Sequence, residues 1–420
     1  IGLGFRPLQA SGLSLIANTA PVAFGALGTP IIALGAVTGY SEVVLGAQVG
    51  RILPFFSVLV PFWLVWAYAG FKGMMEIWPA IAVAGVSFGI PQYLVSNYHG
   101  PWLTDIVASL CSMICLIAFL KIWQPKKIWG HEAHQESGPL AARGVHGYSR
   151  EQVVRAWLPW LVLSVLVFCW GTTTGKKIMN APEKVFPSMS TWHTPPSVIT
   201  NPQIPVAGLN KMVQRVPPVV AKPAAEAAVF GLNWLSATGS GILVAATISA
   251  FIMGLSLSKM VTMWWQTVWH LRFSLMTIAA MLSLGFLTRY SGVDATMGLA
   301  FARTGYLYPF FGTLLGWLGV ALTGSDTSSN VLFGSLQKIS AQQTGVSSVL
   351  MASANSAGGV MGKMIDAQSI VVASTATEWY GHEGEILRYV FWHSIALACL
   401  VGLVVFLQAY IPPFTHLVGQ

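Results

Sequence analysis

Apolar runs long enough to cross a lipid bilayer recur along this chain, at about 52–69, 78–95, 104–123, 157–174, 238–257, 271–288, 307–323 and 389–411. A bilayer core is spanned by about 20 apolar residues in a helix. Lipid offers backbone amides and carbonyls no partners, so such runs must form helices that satisfy themselves. Only 9% of the 420 residues are Asp, Glu, Lys or Arg, against about 25% in an ordinary soluble domain. A soluble enzyme, a disordered chain and a disulfide-stapled module are excluded. The pattern predicts an all-α polytopic membrane protein, with about 8–9 spanning helices plus discontinuous or re-entrant helices.

The net charge of +8 would suggest nucleic acid in a soluble protein. Here the basic residues cluster between apolar runs, as the positive-inside bias produces. The loop 124–156 carries Lys126, Lys127, Arg143, Arg150 and Arg155 and is expected to be cytoplasmic. A span at 157–174 then leads to a long proline-rich loop, 175–236, which is expected on the periplasmic side. Membrane helices of the first half occupy 1–123 and those of the second half 237–420. Trp63, Trp66, Trp78, Trp102, Trp123 and Trp157 lie near span ends, as an interfacial aromatic belt requires. Cys111, Cys115, Cys169 and Cys399 all lie in apolar segments, where thiols act as small hydrophobes. The chain opens at Ile1 on the tail of an apolar stretch and is expected to lack its N-terminal spans.

Three segments are apolar without being clean spans. The first, 13–37, is interrupted by Asn18, Thr19, Pro21, Gly25, Gly28 and Pro30; both prolines are expected to break the helix. The second, 322–337, contains the small and polar run TGSDTSSN. The third, 351–369, holds Lys363 and Asp366 among small and apolar residues. Irregular backbone at membrane depth persists only where protein or a water-filled cavity satisfies it. Paired broken helices are the sequence sign of a transporter's binding site, commonly built from inverted repeats. An inverted-repeat secondary transporter is therefore expected.

Asp326 is the leading candidate for proton coupling, because burial favours the neutral form of a carboxyl group and intramembrane carboxylates are normally retained for function. The alternative is a helix cap at the start of a helix near Asn330. Thr327, Ser328, Ser329 and Asn330 would offer hydroxyl, amide and helix-terminal N–H groups to an anion. Lys363 and Asp366 are three apart and would share a helix face. Lys363 is a natural counter-charge for a carboxylate and Asp366 a second proton-coupling candidate; the alternative is a self-neutralising pair. Asn18, Thr19, Asn355 and Gln368 supply neutral hydrogen bonds or caps. His131 and His134, in HEAHQE, lack a third ligand at a metal-binding spacing, so no metal is assigned. His193, His270, His393 and His416 near span ends are further relay candidates without distinguishing context. No GxGxxG, P-loop or HExxH motif occurs, which argues against an ATP-driven pump.

The stretches GFRPLQASGLSLIANTAPVAFGALGTP (4–30), MVQRVPPVV (212–220), WLSATGSGILVAA (234–246), GWLGVALTGSDTSSNVLFGSLQ (316–337) and ANSAGGVMGKMIDAQSI (354–370) closely resemble the L-lactate permease family of bacterial carriers, in order along the chain. The resemblance implies proton-coupled uptake of L-lactate and related 2-hydroxymonocarboxylates across the inner (plasma) membrane. Glycolate or another small organic anion as principal substrate is the alternative, and a membrane-embedded enzyme a rival of another class. It further implies no cofactor, no nucleic acid and no catalytic residues. Family members carry more N-terminal spans ending in a glycine-rich broken segment, so one quarter of a four-part site is expected to be missing.

Overall fold

The computed structural model describes residues 5–125, 149–171, 173–185, 196–217, 219–220 and 222–419. Most of the loop at 124–156, with HEAHQE, lies outside them, as does His193. The chain forms two compact units, one of residues 1–133, 216–222 and 273–420, the other of 134–215 and 223–272.

The first unit opens with α1 (Pro7–Ala17), α2 (Gly25–Thr38), α3 (Glu42–Val49), α4 (Leu53–Glu76), α5 (Trp78–Tyr98) and α6 (Thr104–Ile122). The second unit holds α7 (Arg150–Gly171), α8 (Thr173–Asn180), α9 (Pro196–Thr200), α10 (Thr238–Ile252) and the start of α11 (Leu257–Ser291). The described part of its long loop contains short strands. It holds two antiparallel pairs, β1 (Gln203–Pro205) with β4 (Val229–Gly231) and β2 (Gln214–Arg215) with β3 (Ala224–Ala225), and an Arg215–Glu226 ion pair at 2.8 Å bridges the second. The first unit resumes with α12 (Val293–Ala302), α13 (Tyr308–Thr323), α14 (Asp326–Thr344), α15 (Ser348–Gly362), α16 (Ala367–Ala376) and α17 (Glu383–Tyr410). The fold is all-α and polytopic. Among the described residues, Glu42–Glu76, Trp78–Tyr98, Thr104–Ile122, Gly305–Thr323 and Glu383–Tyr410 have the length and apolarity to cross a bilayer.

α15 is the core of the first unit: every residue from Val349 to Gly362 is buried. Its small residues permit this. A methyl group added to Gly358 would overlap the Thr313 carbonyl, one on Gly362 the Trp317 carbonyl, and one on Gly316 of α13 the Asn355 carbonyl. Gly312-x-x-x-Gly316 and Gly358-x-x-x-Gly362 are thus facing small-residue motifs that bring two backbones into direct contact. Van der Waals contact of this kind drives helix association in lipid.

The breaks are shorter than the sequence suggests. The interruption in 322–337 is confined to Gly324 and Ser325, and Asp326 to Gln337 is continuous helix. Gly324 ends α13 at φ +71°, and the Ser325 side chain caps α14 by accepting from the Ser328 amide. The cap is therefore Ser325, not Asp326, and the helix starts four residues before Asn330. In 351–369 the break spans only 363–366, with Asp366 capping α16 through the Ser369 amide at 2.8 Å. Lys363 and Asp366 flank this turn rather than sharing a helix face. Pro21 lies in the break after α1, as expected, but Pro30 lies inside α2. The reason is Gly28, at φ +74°: it interrupts the helix two residues earlier, so Pro30 sits near a fresh N-terminus where a missing N–H costs little.

Candidate functional site

The run TGSDTSSN folds as a sharp antiparallel turn because Gly324 accepts a left-handed φ and Ser325 satisfies an orphan N–H. That geometry delivers the first turn of α14 against α15. Asp326 is 4% exposed. Its Oδ2 accepts from Ser356 Oγ at 2.6 Å, while its Oδ1 is buried with no hydrogen-bond partner among the described residues. Gly359 makes room for that oxygen, since a methyl group there would strike it. Asn330 stands nearby but donates to the Pro30 carbonyl at 3.1 Å.

Lys363, one-fifth exposed, donates to the Gly324 carbonyl at 2.7 Å and lies 3.1 Å from Asp366 Oδ2. The latter contact is an ion pair out of hydrogen-bond alignment, which leaves Oδ2 with charge compensation but no directed bond. The ammonium therefore ties the two breaks together and acts electrostatically on Asp326 as well. Beside it, a groove of about 490 Å³ is lined by Ser14, Asn18, Lys363, Gln368 and Ser369, with apolar walls that include Leu15 and Val372. Gln368 also packs on Gly324.

A second polar cluster adjoins the first. The Tyr308 hydroxyl donates to Gln337 Oε1 at 2.5 Å. Gln337 Nε2 donates to the Gly312 carbonyl at 2.6 Å and to Asn355 Oδ1 at 3.2 Å. Asn355 Nδ2 donates to Asn330 Oδ1 at 3.0 Å and Ser329 Oγ at 3.4 Å. Ser329 Oγ donates to the Gly316 carbonyl at 3.2 Å. All five side chains are fully buried.

The candidates from sequence therefore divide. Asn18, Lys363 and Gln368 meet in the groove, and Asp326 and Asp366 adjoin it through Lys363. Ser329, Asn330 and Asn355 belong to the buried ladder. Ser328 is exposed at the first turn of α14 and Thr327 half-buried. Thr19 is buried and donates to the Ile16 carbonyl of its own helix at 2.9 Å. Ser356, Gln337 and Tyr308 were not singled out. The signal for Ser356 was present in the spacing Ser356, Gly359, Lys363, which places the three on one face of a helix.

The family model described as L-lactate permease matches residues 1–412. The chain belongs to the L-lactate permease family. It is 47% identical to glycolate permease GlcA of Escherichia coli K12, over 98% of this chain and 73% of that protein. It is 44% identical to the L-lactate permease of the same organism, over 98% and 72%, and 41% identical to that of Bacillus subtilis 168, over 98% and 73%. No solved structure matches it. This member of the L-lactate permease family is a multi-pass transporter of the bacterial inner (plasma) membrane, and its long apolar helices have the length to cross one. TGSDTSSN and GKMIDAQSI, the two stretches most specific to the resemblance, are the ones that build the permease's turn at Asp326 and its break at Lys363.

Proposed function

We propose that this permease takes up L-lactate, or a close 2-hydroxymonocarboxylate, together with a proton, and releases it chemically unchanged. The observation that carries the reading is one ammonium, Lys363, set between a groove and two buried carboxyl groups, one of which has an orphan oxygen. A substrate carboxylate entering the groove competes with Asp366 for Lys363, and Asn18 and Gln368 serve its hydroxyl. Leu15 and Val372 suit the methyl group. Asp326 holds the co-transported proton on Oδ1, where no protein donor competes for the oxygen. Anion and proton then cross as a neutral pair, which avoids moving net charge through a low-dielectric barrier. Lys363 offsets the charge of Asp326 once the proton has left. Asp366 is a second group able to take part when substrate displaces it.

Glycolate as principal substrate is the second reading, favoured by the higher identity to the glycolate permease. The test is uptake of labelled lactate and glycolate by vesicles holding the full chain. Label should accumulate unaltered, faster with acid outside, and collapse with a protonophore. Uptake that ignores the protonophore yet requires sodium would overturn proton coupling, and a chemically altered product would restore the enzyme alternative.

A further inference from the structure

Two stretches of the chain match at one fixed spacing. Ala17-Asn18-Thr19-Ala20 pairs with Ala354-Asn355-Ser356-Ala357, and Arg51 and Ser57 pair with Arg388 and Ser394, always 337 residues on (18 to 355, 51 to 388, 57 to 394). The secondary-structure elements follow the same order although not the same spacing, since 18–24 shifted by 337 residues falls inside α15. A helix, a break and a helix precede a long apolar helix in both: α1, 18–24, α2 and later α4 in one copy, and α15, 363–366, α16 and α17 in the other.

The copies run in opposite directions. Ser11, early in α1, hydrogen-bonds Thr377 at 2.8 Å and the Ala373 carbonyl at 3.3 Å, at the end of α16. Asn18, just after α1, shares the groove with Lys363 and Gln368 at the start of α16. The two broken helices therefore pass each other antiparallel, as elements of an inverted repeat do.

The matched serines do matched work. Ser394 Oγ donates to the Met361 carbonyl, in the last turn before one break, at 2.6 Å, and accepts from Trp317 Nε1 at 2.8 Å. Ser57 Oγ donates to Gln92 Oε1 at 2.5 Å, and Gln92 Nε2 donates to the Ala20 carbonyl, inside the other break, at 3.4 Å. Carbonyls at a helix end have no intrahelical partner, and at membrane depth water does not supply one. Each serine thus fastens one broken helix to its own long helix. Both are buried, and neither lines the groove.

We propose that Ser57 and Ser394 are a pair of opposed positioning residues, each stabilising closure of its own break, so that loosening one favours access from one side of the membrane and loosening the other favours the opposite side. The inference rests on the carrier reading, since only a carrier needs two such states. One interhelical hydrogen bond in a membrane contributes on the order of 0.6–1.7 kcal/mol, which is a population shift of about threefold to eighteenfold.

The experiment uses the full chain with its four cysteines replaced and one new cysteine at Ala376, an exposed residue lining the groove. Its labelling by a membrane-impermeant maleimide is timed in right-side-out and inverted vesicles. Ser57→Ala and Ser394→Ala should change the rate about threefold or more in opposite directions. Ser57→Thr and Ser394→Thr keep the hydroxyl and should restore the parent rate. Should an alanine variant fail to insert, Gln92→Leu breaks the Ser57 link from its other side and Trp317→Phe removes the donor that orients the Ser394 hydroxyl toward the Met361 carbonyl, and the two must give the same opposed signs. Changes of the same sign, or none, overturn the pairing. Lactate counterflow by the parent protein, read in parallel, keeps the outcomes apart. Opposed labelling without lactate counterflow leaves the pairing standing and removes lactate as the substrate, whereas counterflow with same-sign labelling removes the pairing alone.

Discussion

Two buried polar clusters meet where α14 crosses α15, and they are built on opposite principles. The ladder from Tyr308 through Gln337 and Asn355 to Asn330 is neutral, and each of its side chains holds at least one direct bond. The cluster of Asp326, Lys363 and Asp366 carries ionisable groups and borders a groove, and among the described residues it leaves Asp326 Oδ1 with no partner and Asp366 Oδ2 with an unaligned ion pair. A satisfied network in a low-dielectric interior fixes one packing arrangement. An orphan oxygen in the same interior costs about 1–3 kcal/mol. Scaffold and candidate site are thus separable by their hydrogen bonds, although both draw on residues of α14.

The sharpest break between them should come at Asp326. Asp326→Asn keeps the size and neutral form of the side chain and cannot release a proton. Uphill accumulation of lactate should vanish while exchange between preloaded and external lactate continues. Because Ser325 rather than Asp326 caps α14, loss of a cap does not supply a competing explanation. A variant that still concentrates lactate against a gradient removes Asp326 from coupling.

Next in size is Lys363→Met, which should raise the apparent KM for lactate on the order of 100-fold, the scale of about 3 kcal/mol for a buried charge-assisted contact, or abolish uptake. Melting of the purified protein should also fall, through the lost bond to the Gly324 carbonyl and the buried Asp366 left without its counter-charge, so the KM is read on the folded fraction. Lys363→Arg should rescue only partly, because a planar fork does not fit the place of a compact ammonium. Near-normal uptake by Lys363→Met would return this residue to a structural ion pair.

The ladder should answer in the reverse sense. Asn355→Ala strips Gln337 and Asn330 of a partner each, at about 1–3 kcal/mol per orphan. The loss should appear as a lowered melting temperature and a smaller folded fraction, with an unaltered KM in the protein that remains. A raised KM at unchanged stability would place Asn355 with the charged cluster and dissolve the distinction.

Much of the architecture was legible because it follows from composition along the chain. The runs at 78–95, 104–123 and 307–323 became α5, α6 and α13 with ends shifted by a few residues, since apolar length alone decides a span. The breaks were legible in place but not in extent. Asp326 to Gln337 is rich in Ser, Thr and Asn, residues poor in helix-forming tendency, yet helical because Ser329, Asn330 and Gln337 find partners on α2, α13 and α15. Such bonds span 13 to 300 residues and leave no local trace. Ser356 was missed for the same reason: its partner is 30 residues away.

The smallest expected effect tests a pair the sequence could not divide. Asn18 and Thr19 are adjacent, polar and in the same break, so residue type alone gives them one status. In the fold, Asn18 lines the groove, whereas Thr19 is fully buried and turns its hydroxyl back to the Ile16 carbonyl. That carbonyl also accepts from the amides of Asn18 and Thr19, so removing the hydroxyl leaves it bonded. Valine has the shape of threonine, and its methyl group suits an apolar surround. Thr19→Val should therefore shift stability by less than about 1 kcal/mol and leave the KM for lactate within about twofold of the parent. Asn18→Ala, one residue away, should raise that KM about tenfold, the worth of one hydrogen bond of about 1.4 kcal/mol to the substrate. If both variants behave alike, the groove does not hold the substrate hydroxyl at Asn18, and the polar residues of this break act only as caps.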